Sequence, residues 1–205
     1  KKRNLLSEYY RLASRDLQQN RHLRSDGSLQ RILNALENLG IGEVVLISPE
    51  GPHAIAGGLA QVIVGLMKSL TQRGIPVTLI SPLYEYRHGN KHKDAETLLR
   101  EGVRLIRRNV PIRKKGEVEV FFGPTYENGG SRWRQWPFPF PVGVYEAREG
   151  LARILFLRQA YYGSRLYQHC FADEQLKRAI FLSRGALEVL RNPEFGVSAH
   201  LVVTN

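Results

Sequence analysis

The segment that most restricts how this chain can fold is Val44-Val45-Leu46-Ile47, followed by Ser48-Pro49-Glu50, a short loop, and Gly57-Gly58-Leu59 at the head of a long apolar-periodic stretch. An uninterrupted run of valine, leucine and isoleucine reads as a strand buried on both faces, the pattern of a parallel sheet. The loop then lies at the strand's carboxyl end and the glycine pair at the start of a helix. Backbone N–H groups there have no intrahelical acceptors and carry the positive end of the helix dipole. Open α/β folds place ligands outside the carboxyl ends of their strands, and phosphates favour such helix starts. A glycine pair alone is more often a tight turn, so a binding role for Gly57, Gly58 and Leu59 needs further support.

From residue 43 onward strand and helix patterns alternate. Spacing predicts a helix over residues 59–73 that buries Leu59, Val62, Ile63, Leu66 and Leu70 and ends at Gly74. A second strand over 77–81 completes a βαβ unit, expected to be right-handed. Residues 84–100 read as polar loop and helix, and two β-prone runs follow at 103–112 and 117–122. The Lys114-Lys115-Gly116 step between those runs predicts a hairpin turn. An irregular excursion over 123–141 carries Trp133, Trp136, Phe138 and Phe140. A strand is expected at 152–157, and a helix at 172–191 with Leu176, Ala179, Ile180, Ser183, Leu187 and Leu190 on its buried face. Residues 201–203 read as another parallel strand. Before this pattern, residues 4–20 and 28–39 have helical apolar spacing, the second run capped by Ser28. The sequence therefore predicts a helical extension over 1–42 and an α/β domain over 43–205.

Composition narrows the partners. The formal charge is +11, from 30 Lys+Arg against 19 Asp+Glu, an excess that attracts anions. The cations cluster at Lys1-Lys2-Arg3, Arg107-Arg108 and Arg113-Lys114-Lys115, in tails and turns without interleaved aromatics, which argues against nucleic acid. One cysteine, Cys170, excludes an intramolecular disulfide and suggests a reducing, cytoplasmic setting. Nothing approaches the roughly 18 apolar residues of a membrane span, and no signal-peptide pattern is present. A start at Lys1 rather than Met leads us to expect a processed or excised piece. No metal site and no cofactor are expected.

Ser48-Pro49-Glu50, the helix start Gly57-Gly58-Leu59-Ala60 and the strand entry Arg73-Gly74 with Val77 resemble the opening of bacterial glycogen and starch synthases, glycosyltransferase family 5. Pro82-Leu83-Tyr84 is similar to the family's Pro-x-Tyr turn. Residues 178–188, RAIFLSRGALE, resemble its RFAFFSRAALE helix. Residues 201–205, LVVTN, look like the strand that leads into its His-Ala-Asn/His-Asp-Trp segment, and the resemblance covers 43–205.

The resemblance implies an α/β, Rossmann-like parallel-sheet domain, the N-terminal half of a two-domain B-type glycosyltransferase, with an added β-hairpin and the N-terminal helices as a connector. The implied reaction moves glucose from ADP-glucose, or UDP-glucose, to the non-reducing end of an α-1,4-glucan with retention. Gly57, Gly58 and Leu59 would bind the donor, while Glu50, His53, Tyr84, Asp173, Glu174 and Asn205 are candidates to line the cleft. No residue is assigned as catalytic. The implied partners are the nucleotide sugar, the α-glucan and the remaining domains of a larger polypeptide, with no membrane. Because the family's nucleotide-holding second domain is missing, this piece alone is expected to be inactive.

Three departures complicate that picture. Ile55 and Ala56 stand where the family loop carries Lys-Thr, Gln61 replaces an acid, and Val203 stands where the last strand has His. His53 or His200 could substitute in space for the last. Tyr161, Tyr162, Tyr167 and the aromatics of 133–140 could stack on sugar rings or merely anchor a loop. Asp173 and Glu174 could equally cap their helix. Two other readings stay open: a non-catalytic, synthase-like glucan-binding or regulatory module, and another nucleotide-sugar glycosyltransferase of the same fold. Leu59, in a position where sucrose-synthase-like enzymes carry Gln, favours the glycogen/starch branch.

Overall fold

In the computed structural model, the described residues are 42–85, 94–121, 125–127, 132–134, 139–160 and 172–204. The chain divides between Gly40 and Ile41, and the description below concerns the part after that division. The two helices expected within 1–42 fall outside the described residues, as do Tyr161, Tyr162, Tyr167, Trp136 and Phe138.

The elements run β1 (Val44–Ile47), α1 (Gly58–Gln72), β2 (Val77–Pro82), α2 (Ala95–Glu101), β3 (Val103–Arg104), β4 (Asn109–Val110), β5 (Arg113–Val120), β6 (Thr125–Glu127), β7 (Arg132–Arg134), β8 (Phe140–Glu149), β9 (Ala152–Arg158), α3 (Ala172–Arg191), a short 3-10 turn (Pro193–Phe195) and β10 (Leu201–Thr204). Six strands form one sheet in the order β10-β1-β2-β9-β8-β5. The first four are mutually parallel: Val44 lies between Leu201 and Val77, and Val77 pairs with Ala152. β8 and β5 continue the sheet antiparallel. β1 is thus flanked by β2 on one side and β10 on the other, so the strand order reverses there and a crevice is expected at its carboxyl end.

The central parallel strands β1, β2 and β9 are buried on both faces, which accounts for their continuous apolar runs. Val45, Ile80, Leu155 and Leu157 share one core cluster with Val118, Val120, Val142 and Val144 of the antiparallel strands, and Phe181, Leu182, Ala186 and Val189 of α3 cover them. α1 packs on β2 and β9 through Ala60, Ile63, Met67 and Leu70.

Several sequence expectations need correction. Val62, expected to be buried, is exposed, because α1 turns the spacing 60-63-67-70 inward. In α3 the inward face is Phe181, Leu182, Ala186 and Val189, while Leu176 and Leu187 face solvent. The reason is Gly185: a Cβ there would come within 2.6 Å of Leu157, so the helix lays its smallest residue against β9. The turn expected at Gly116 is instead a bulge inside β5, where the register against β8 shifts between Lys114 and Gly116. That glycine answers a close approach, since a Cβ would meet the Phe195 ring at 3.2 Å. The hairpins lie elsewhere, at β3–β4, β6–β7 and β8–β9. The helix stop at Gly74 is as expected: with φ at 78°, its N–H donates to the Thr71 carbonyl and that of Ile75 to Leu70, a Schellman closure.

The amino edge of the sheet is held by a buried charge cluster. Arg153 donates through Nε to Thr78 Oγ1 (2.9 Å), through Nη1 to the Phe195 carbonyl (2.9 Å), and through Nη2 to Glu43 Oε1 (3.0 Å) and the Gly196 carbonyl (3.1 Å). Glu43 also accepts from Thr78 Oγ1 (2.5 Å) and from the Ser198 amide (2.6 Å). Beside it, Glu149 accepts from the amides of Ile106 (2.8 Å), Arg107 (3.0 Å) and Arg108 (3.3 Å). Burial alone would raise the Glu149 pKa. The three amides and the Arg108 guanidinium outweigh that and hold it below its ordinary value. A depressed carboxylate stabilises the fold above its unfolded pKa and loses that contribution as pH falls through the folded one. The stability gap between wild type and Glu149→Gln, measured by denaturant unfolding, is therefore expected to be full at neutral pH and to close on acidification below about pH 4.

Candidate functional site

The site is the loop between β1 and α1. Ser48, at the end of β1, is fully buried, and its Oγ accepts from the Glu50 amide at 3.2 Å. Gly51 and Ala54 then exchange backbone hydrogen bonds of 3.2 and 3.1 Å, which folds the loop back on itself. Residues 55–58 emerge from this turn exposed, and α1 begins at Gly58.

Glu50 is turned inward. Its side chain lies beneath the loop with the residue 1% exposed, and a single oxygen, Oε2, accepts from the amides of Ala56 (3.3 Å), Gly57 (3.1 Å) and Ala60 (3.2 Å). This corrects the expectation of bare amides across the glycine pair: Gly57 N–H is bonded inside the protein. The physical reason is capping. Gly57 is the N-cap and has no side chain to cap with, so the amide of Ala60, three residues on, takes its acceptor from Glu50. The amides of Gly58 and Leu59 find no acceptor among the described residues, and Gly58 is exposed.

The glycines are not explained from within. Gly57 has φ −151°, extended backbone open to other residues. A Cβ on it would meet only Glu50 Oε1, at 4.0 Å, and a Cβ on Gly58 would meet nothing within 4 Å. Neither the backbone nor the described packing demands a missing side chain at either position.

His53 and Tyr84 are 5% and 7% exposed and support the loop from behind. His53 Nε2 donates to the Pro82 carbonyl (3.0 Å) and lies 3.3 Å from Ser81 Oγ. Its ring stacks on Tyr84 at 6.2 Å and meets Phe156 edge-on at 4.8 Å. Tyr84 OH donates to the Pro49 carbonyl at 2.7 Å. The pair ties the loop to the carboxyl ends of β2 and β9. His200 cannot replace the missing strand histidine either. It precedes Leu201, which pairs with Val44, so it lies at the opposite, amino edge, with Nδ1 3.0 Å from the Ser198 carbonyl.

Asp173 and Glu174 open α3, but their side chains lie outside what the structure describes, as does Asn205. Val203 pairs with Leu46 in the sheet. Ile55 stands at the loop mouth, 41% exposed. The role that sequence reasoning missed is the capping by Glu50. The signal that could have found it was a helix whose N-cap has no side chain, preceded seven residues earlier by an acid.

A family model described as the starch synthase catalytic domain matches residues 43–205. The glycogen synthase of Protochlamydia amoebophila (strain UWE25) is 26% identical over 149 residues, which are 71% of this chain and 24% of that protein. Among solved structures, the catalytic domain of Starch Synthase IV from Arabidopsis thaliana, bound to ADP and acarbose, superimposes with a TM-score of 0.53 at 20% identity. The superposition covers 80% of this chain and 27% of that one. This chain therefore spans about a quarter of the length of both, and the structural likeness is one of fold.

Proposed function

Because the chain belongs to the starch synthase catalytic domain family, we propose that it is the N-terminal lobe of a glucan-synthase-type glycosyltransferase that moves glucose from ADP-glucose or UDP-glucose to an α-1,4-glucan with retention. The observation that carries the reading is the glycine pair. Two adjacent glycines with no internal need for their missing side chains, beside the amides of Gly58 and Leu59, which find no acceptor among the described residues, suit a ligand that approaches the backbone closely. In such a transfer the main task is to stabilise the departing diphosphate, and fixed backbone donors do this without reorganising. The outer amides of Gly58 and Leu59 serve as those donors, and Gly57 contributes by having no side chain in the way. ADP in the similar Arabidopsis structure supports a nucleotide diphosphate as the ligand class. Turnover is not expected of this piece by itself.

A second reading has a specific observation behind it. Ile55 leaves the loop mouth apolar where the family has an ammonium, and that favours a non-catalytic lobe that holds glucan. Calorimetry separates the two: the transferase reading expects ADP-glucose to bind, and the second expects only a maltooligosaccharide to bind.

Gly58→Ala tests the carrying observation. The new methyl group meets nothing in the fold, and alanine is the better helix residue, so thermal stability should hold or rise by up to about 1 kcal/mol. Binding of ADP-glucose should fall at least tenfold. A variant that binds as wild type would mean that no ligand approaches this backbone.

A further inference from the structure

The β1–α1 loop has an internal organisation that the donor reading does not by itself supply. Its helix begins without a side-chain cap, and the acceptor comes from seven residues upstream. Glu50 is well placed to provide it. The Glu50 amide is fixed to Ser48 Oγ, and Tyr84 holds the neighbouring Pro49 carbonyl, so the carboxylate is carried on the rigid end of β1. One oxygen then gathers three amides within 3.1–3.3 Å. Gathering those three turns them inward and divides the helix start into an inner set and an outer pair.

We infer that Glu50 is the positioning residue of this loop: its carboxylate fixes residues 56–60 so that the amides of Gly58 and Leu59 form the pair presented to a phosphate. The inference rests on the donor reading above. It also assigns a second effect to the same group, since a full negative charge behind the amides opposes an anion in front of them. Removing the charge while keeping an acceptor oxygen should therefore leave the loop in place and make an anion more welcome.

The test uses the 15N-labelled chain with ADP as the probe. Amide hydrogen exchange is followed at Gly57 and Ala60, and the Gly58 and Leu59 resonances are titrated. In the wild type, Gly57 and Ala60 exchange slowly and Gly58 and Leu59 respond to ADP. In Glu50→Leu, exchange at both inner amides should accelerate at least tenfold, and the apparent Kd for ADP should rise at least tenfold. Glu50→Gln keeps the acceptor without the charge and should restore the ADP response to wild-type affinity or tighter, which a residue needed only for folding would not do. Should Glu50→Leu fail to fold, Glu50→Asp replaces it: one methylene short, it keeps the charge and should show the same two losses. An unaltered ADP Kd, or unaltered exchange, in the Leu or Asp variant overturns the inference alone. Weak binding is expected of this lobe alone, so ADP is carried well into the millimolar range; a wild type whose Gly58 and Leu59 resonances stay silent even there overturns the donor reading, and the positioning role falls with it.

Discussion

Replacing Arg153 with methionine is expected to lower the unfolding free energy by about 3–5 kcal/mol, the usual cost of removing one partner from a buried ion pair. Methionine matches the aliphatic stem but leaves Glu43 as a buried carboxylate without its cation. It also leaves the carbonyls of Phe195 and Gly196 without their donors. Arg153, Glu43 and Phe195 are 5%, 9% and 1% exposed, so solvent reaches the Glu43 carboxylate and the Phe195 carbonyl poorly, whereas Gly196 is exposed. Denaturant unfolding measures the loss. The control is the double variant Glu43→Gln with Arg153→Met, which removes both charges and should recover a large part of it. If the single variant is as stable as wild type, Glu43 and Arg153 do not depend on each other as the geometry requires. The effect should reach beyond the core, because the cluster also holds the Ser198 amide and so sets where the chain enters β10.

Ile55→Lys is expected to tighten ADP binding roughly tenfold to a hundredfold, since a charge-assisted hydrogen bond contributes about 1.5–3 kcal/mol. Ile55 is 41% exposed and sits two residues before the N-cap of α1, so a lysine can enter without disturbing the core. Calorimetry with ADP and with a neutral maltooligosaccharide separates a charge effect from a general one: only the first should improve, and its gain should shrink as salt is raised. No gain with ADP would mean that the phosphates do not pass this side of the loop, and would favour the non-catalytic reading.

The sheet was legible because its signal is local. Val44 to Ile47 is apolar throughout and Val77 to Pro82 nearly so, and both strands are buried on both faces as such runs require. Helix faces were less legible. α3 carries Leu176 and Leu187 on one side and Phe181, Leu182 and Val189 on the other, so periodicity alone permits two answers, and the glycine that decides between them acts through Leu157 in a distant strand. Gly116 misled for the same reason: its sequence neighbours suggest a turn, whereas its cause is the ring of Phe195, far along the chain. In the site, the glycine pair could be read, but the division of labour among its amides could not. Glu50 caps a helix that begins after a folded-back loop, so its seven-residue distance from the N-cap lies outside the usual capping signatures.

β10 shapes how the domain behaves in time. Among the described strands it pairs only with β1, and Val202 and Val203 are 39% and 38% exposed. Regions with few buried apolar contacts open first, so in these 205 residues taken alone this margin should exchange its amide hydrogens before the centre of the sheet. Thr204 lies opposite Ile47, just before the β1–α1 loop. Any opening of β10 is accordingly passed first to the carboxyl end of β1, where the β1–α1 loop begins.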